Sequence, residues 1–144
     1  MYCCRWFVLC ENVVVDATTN NLTMVNALSV LRTHTFPAHH LRFSFAAILD
    51  QKEAEGPLSL RFVREMKEKD EILFTTGTFD QAPKVAQFFL NFPMGIRLFE
   101  KGTVTFRVEA KEGDLDWYSV GSQSLLVEHF EPAPASDAKT ESTE

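Results

Sequence analysis

Three segments of this chain alternate apolar and polar residues with a period of two. In LRFSFAAIL, Leu41, Phe43, Phe45, Ala47 and Leu49 fall on one side while Arg42 and Ser44 fall on the other. Leu58, Leu60 and Phe62 alternate with Ser59 and Arg61, and Val104, Phe106, Val108 and Ala110 with Thr103, Thr105, Arg107 and Glu109. Successive strand side chains leave the backbone on opposite faces, so this pattern demands sheets with one dry and one wet side. Turn and breaker residues recur at intervals of roughly ten residues, the rhythm of an all-β sandwich or barrel. The pattern predicts a single antiparallel β-sandwich of about seven to eight strands, immunoglobulin-like or C2-like in layout.

A first strand is expected over Arg5–Val15, followed by the polar connection Asp16–Asn21, which is rich in turn formers. A second strand is expected over Leu22–Leu31, then a crossing loop around His34–His40 that contains Pro37. Ile72–Phe79 and Ser124–Phe130 read as further strands, and Val120–Ser124 as a turn. Lys84–Phe92 fits both a strand and a helical stripe; the Phe92-Pro93-Met94-Gly95 stop that follows favours a strand. The thirteen phenylalanines, against two tyrosines and two tryptophans, carry no polar group to satisfy and suit a dry core. Phe7, Phe43, Phe45, Phe62, Phe74, Phe88 and Phe106 are its expected members. The domain is expected to span 1–130. The tail 131–144 has almost no large apolar residue and is expected to be disordered.

A net charge of −6 with scattered Lys and Arg argues against nucleic acid and against anionic membrane surfaces, which both require a basic patch. No stretch approaches the eighteen or so apolar residues of a membrane-spanning helix. WFVLC is interrupted by Glu11-Asn12 and lacks a small-residue cleavage site, so it does not read as a signal peptide. Together with an odd number of cysteines, this predicts a cytoplasmic, reduced protein.

The cysteines Cys3, Cys4 and Cys10 lack the paired spacing of a structural zinc site, and no C-x-x-C motif is present. On a regular strand Cys4, Trp6, Val8 and Cys10 would share one face and pack as ordinary strand residues. A second ligand pair would have to come from His34, His39, His40 or His129; His39 and His40 are adjacent and would point to opposite sides of extended backbone, so they do not form a chelating pair, and neither has an evident acid–base partner. Nucleophile-elbow, phosphate-loop, dinucleotide and zinc-protease motifs are all missing, and no catalytic residue is assigned. If the strands run up and down, alternate connections collect Asp16, Asp50, Asp80, Asp114 and Asp116 at one end, where carboxylates could bind Ca²⁺. The simpler expectation is that these acids populate exposed turns, and no cofactor is expected. Trp117-Tyr118 reads as core or rim packing.

Leu9–Leu49 resembles the opening of a family of short bacterial all-β proteins of unknown function. The resemblance is carried by Cys10-Glu11 after an apolar strand, Asp16 before a Thr-containing turn, the apolar run Leu22–Leu31, and Phe36-Pro37 before the next strand. Phe99–Val127 is similar to the family's closing hairpin, with Val104 standing where Tyr is usual. The resemblance implies a β-sandwich and implies no activity. The functional expectation is a non-enzymatic module that binds a protein partner or a second copy of itself through an edge strand. The alternative is a domain that takes a small ligand or Ca²⁺ at acidic loops.

Overall fold

A computed structural model describes residues 1–53 and 56–131 of the chain. Among these residues there are eleven strands and no helix. They are β1 (Tyr2–Val15), β2 (Leu22–Ala27), β3 (Val30–Thr33), β4 (Ala38–His40), β5 (Phe43–Gln51), β6 (Leu58–Arg64), β7 (Glu71–Thr75), β8 (Val85–Phe92), β9 (Ile96–Leu98), β10 (Gly102–Glu112) and β11 (Tyr118–His129). A four-stranded sheet in the order β2-β1-β5-β8 faces a five-stranded sheet in the order β3-β11-β10-β6-β7, and β4 and β9 form a separate two-stranded ribbon. The expected sandwich is present. Its pairings are antiparallel except one, β3 alongside β11, where Val30 to Thr33 run parallel to Leu126 to His129.

The alternating segments become the strands they predict. Leu58, Leu60 and Phe62 of β6, and Phe106, Val108 and Ala110 of β10, are all buried between the layers. Phe62 is the hub of the core, stacked on Phe45 at 4.0 Å and on Phe106 at 5.4 Å between ring centroids. Phe7 meets both Phe45 and Phe62 edge-on, the arrangement the ring quadrupoles favour. Phe74 is half-buried against this cluster. Lys84–Phe92 resolves as the strand β8.

Four local expectations are revised. The run Leu22–Leu31 divides into β2 and β3, which lie in different sheets. Asn26 takes a φ of 52°, which turns the chain; the Leu28 N–H then donates to Leu9 O, and Ser29 O accepts from Leu126 across the sandwich. Asn tolerates this left-handed conformation better than the apolar residues around it. The loop around His34–His40 contains the short strand β4. Val120–Ser124 is no turn but lies within β11.

The last revision concerns β1. Its register with β5 shifts between Cys4, paired with Leu49, and Trp6, paired with Ile48. The extra residue, Arg5, is a β-bulge that reverses which side chains face inward. Tyr2 and Cys4 therefore face the core before the bulge, and Phe7 and Leu9 after it, while Trp6, Val8 and Cys10 face away. Cys4 does not share a face with Cys10. The expected tail lies outside the described residues beyond Glu131.

Candidate interaction surface

The two outer faces of the sandwich differ in chemistry. On the five-stranded sheet the outward residues of β6 and β10 build a closed network of charges. Arg61 donates to Glu109 from Nε at 3.1 Å and from Nη2 at 2.9 Å, and its guanidinium lies 4.3 Å from the Trp117 ring centroid. Arg107 donates to Asp70 at 2.7 Å and to Glu65 at 2.9 Å. These hydrogen bonds raise the pKa of Arg107 and lower that of Asp70. Glu109 is buried but doubly paired. Such a face has its polar groups satisfied and offers little to an apolar partner.

The outer face of the four-stranded sheet is apolar. Cys10, Val13 and Ala46 are buried at its centre, with Trp6, Val8, Leu22, Met24 and Phe89 packed against them from β1, β2 and β8. Ile48 is also buried. Both faces of β5 are thus dry, which the polar residues Arg42 and Ser44 at its start do not reveal.

At one corner of this face β1 continues past the start of β5, and the Val13 backbone has no β5 neighbour. Asn91 of β8 reaches over to it: its Oδ1 accepts the Val13 N–H at 2.8 Å and the Ser44 hydroxyl at 2.6 Å, and its Nδ2 donates to Val13 O at 3.0 Å. A single side-chain amide stands in for the missing strand.

The edges of the sheets also differ. Strands at sheet edges present unpaired N–H and C=O groups, and proteins blunt them with charges, bulges or brevity. The β3 edge has four residues and carries Arg32, which pairs with Glu128 at 3.0 Å. The β7 edge has five residues and carries Glu71, which pairs with Arg64 at 2.5 Å. The β2 edge ends at the Asn26 bend. In contrast β8 is eight residues long, reads VAQFFLNF, and contains no charge, proline or glycine. It pairs with β5 on one side, and no strand of the described residues pairs with the other.

The acids considered for Ca²⁺ do not converge on a common point. Asp16 Oδ1 accepts the N–H groups of Thr18 and Thr19, each at 2.8 Å, and closes the β1–β2 turn; those bonds lower its pKa. Asp50 pairs with Arg5 at 2.5 Å, which lowers its pKa too, and sits opposite Cys3 at the other end of β1. Asp80, Asp114 and Asp116 are exposed. Among the described residues, no three His, Cys, Asp or Glu side chains come together to hold a metal ion. The β5–β6, β7–β8 and β10–β11 connections do meet, with the Gln51 N–H donating to Lys84 O and the Gly113 N–H to Pro57 O, whereas Asp16 lies apart in the β1–β2 turn, whose Asn20 O accepts from Gln87 Nε2.

His39 Nε2 meets Met94 O, whereas the buried His40 Nε2 has no hydrogen-bond partner among the described residues. The His34 ring packs on Phe130, and the His129 ring packs on Phe36. The three cysteines are free, with burial raising the pKa of Cys4 and Cys10. The Tyr118 hydroxyl accepts the Tyr2 N–H at 2.9 Å and donates to the buried Glu112 at 3.0 Å. Burial first, and Glu112 second, push the Tyr118 phenol up to about 12.

The fold and this surface define a two-layer β-sandwich with one charged face, one apolar face and one undefended edge. The chain belongs to a family of unknown function (DUF6941), whose model matches residues 5–118. That match spans β1 to the start of β11. No curated protein matches the chain.

Proposed function

We propose that this chain is a non-enzymatic protein-binding module that pairs through the free edge of β8 with β8 of a second copy. The observation that carries the reading is the contrast among the four edges: three are short, bent or charged, and the longest is uncharged. Antiparallel pairing about a two-fold axis would satisfy the open backbone groups of both copies and join two four-stranded sheets into one. It would also extend the apolar outer face across the junction, since Phe89 stands beside the free edge. Three free thiols suit a reducing compartment, and we place the protein in the cytoplasm. The net charge of −6 supports a reading without nucleic acid or anionic membrane as partner.

Sedimentation equilibrium of the full chain tests the proposal. The wild-type chain is expected to show twice its 16.4 kDa mass at micromolar concentration. Val85→Lys with Gln87→Lys places charges at exposed positions of the edge and is expected to give the single-chain mass with an unchanged melting temperature. A wild-type chain that remains single at about 100 μM, well above the micromolar range in which weak specific complexes form, would refute self-association. A doubly substituted chain that still pairs would refute the use of β8.

A further inference from the structure

A second region draws attention because its charge runs against that of the whole chain. A groove of about 480 Å³ opens between the β6–β7 turn and the β9–β10 connection, within the size range of small-molecule sites. Its lining includes five cations, Arg64, Lys67, Lys69, Arg97 and Lys101, against three carboxylates, Glu65, Glu68 and Glu100. Two of those carboxylates are occupied: Glu65 pairs with Arg107, and Glu100 with Lys67. Lys69, Arg97 and Lys101 form no ion pair among the described residues. Unpaired positive charge therefore exceeds unpaired negative charge in the groove, in a protein whose net charge is −6.

The remaining lining is apolar. Leu98 is buried at the base, and Phe99 and Met66 are 48% and 39% exposed. The Phe99 ring is approached by two guanidinium groups, Arg64 at 5.1 Å and Arg97 at 5.7 Å from its centroid. Arg64 is fixed in place, because it is buried and donates to Glu71 through Nε and Nη2 and to Arg97 O through Nη1. The Arg97 guanidinium rests only against the Phe99 ring and forms no ion pair among the described residues, so its hydrogen-bond donors are left to the groove. A planar cation that is weakly hydrated and stacks on a ring is well suited to a carboxylate attached to a flat apolar body.

We infer that this groove binds a small organic anion of the aryl carboxylate class, its ring against Phe99 and Met66 and its carboxylate on Arg97 with Lys101 or Lys69. The site uses β9, β10 and the β6–β7 turn, and does not depend on pairing at β8.

The test is a titration of the full ¹⁵N-labelled chain with 2-naphthoate, followed by amide chemical shifts. Saturable shifts are expected at Glu65–Lys69 and Arg97–Lys101. The uncharged isostere 2-naphthamide is expected to bind at least ten-fold more weakly. Arg97→Ala removes the guanidinium but keeps the carbonyl that receives Arg64, so the fold is retained and affinity is expected to fall at least ten-fold. Lys84→Ala, outside the groove, should leave affinity unchanged. Absence of saturable shifts, equal binding of the amide, or wild-type affinity in Arg97→Ala would each overturn the inference.

Discussion

Replacing Gly121 with alanine tests the placement of Cys4, and with it the bulge that organises β1. In an ordinary strand this change is stabilising by about 0.5–1 kcal/mol, because glycine loses more backbone freedom on folding. Gly121 does not require glycine for its backbone conformation; its φ is not in the left-handed region. What it lacks is room. A Cβ built there would lie 3.0 Å from both Cβ and Sγ of Cys4, which faces it across the sandwich only because Arg5 bulges out of β1. Forcing a methyl group into such a contact costs about 1–3 kcal/mol. Offset by the entropic gain, Gly121→Ala is expected to cost about 0–2.5 kcal/mol, centred on about 1 kcal/mol, where an uncrowded strand position would gain stability.

The partner can be trimmed as well. Cys4→Ala should cost about 1 kcal/mol for the lost contacts of a half-buried sulfur. In the double variant the Sγ clash is gone and the Cβ contact remains, so the combined cost should fall short of the sum by about 0.5–1.5 kcal/mol, the coupling expected of touching residues. Urea unfolding followed by tryptophan fluorescence gives each term as a midpoint shift at constant slope. A Gly121→Ala chain more stable than the wild type, as an uncrowded strand glycine would give, would refute the reasoning. It would mean that Cys4 faces outward with Trp6 and Cys10, as an unbulged strand would place it.

Two further outcomes follow from the polar contacts. Asn91→Leu keeps the side-chain size but removes the amide that serves the Val13 backbone and Ser44; it should cost about 2 kcal/mol in urea unfolding, at roughly 1 kcal/mol per net bond and with water reaching the exposed side of the site. A loss under about 0.5 kcal/mol would show that water replaces the amide fully. At alkaline pH, Tyr118 keeps its proton longer in the folded chain, up to about 12, than in the unfolded chain, near 10. Its contribution is therefore intact below pH 10 and lost as the pH rises towards 12. Tyr118→Phe should flatten this decline in a melting series across that range, and an unchanged slope would exclude Tyr118 as its source.

How much of this was legible in the sequence depended on whether the information was local. The faces of β6 and β10 follow directly from their alternation, and Phe43, Phe45, Phe62, Phe88 and Phe106 fall in the core as the pattern implies. The outer apolar face was not legible, because Ala46 and Ile48 differ little in type from Ala47 and Leu49 and the alternation fades along β5. The Arg5 bulge was hidden for another reason. A bulge is a property of pairing between strands, and no residue in CCRWF announces it. LTMVNALSVL is apolar enough to read as one strand, and only Asn26 hints at the break that sends β3 to the other sheet. Gly121 suggested a turn; its actual reason, a neighbour 117 positions earlier in the chain, is visible only in three dimensions. The role of Asn91 was equally out of reach, since it serves a backbone gap that exists only because β1 outruns β5.

The same distinction separates the residues first considered for function from those that the structure brings forward. Asp16 and Asp50 stood out because carboxylates are chemically versatile, but each is already committed, one to its own turn and the other to Arg5. A polar group whose partners are supplied within the fold has little free energy left to give a ligand, since binding must first break what folding made. Among the described residues the far edge of β8 pairs with no strand, and Arg97, Lys69 and Lys101 form no ion pair; Asp80, Asp114 and Asp116 form none either, but they do not line a common groove as the three cations do. Neither the edge position of β8 nor the free state of these cations is encoded near the residues themselves. Both follow from the sheet order and from which acids Arg107 and Lys67 have already claimed. In a sandwich with this division of partners, function is best sought where the internal accounts do not close.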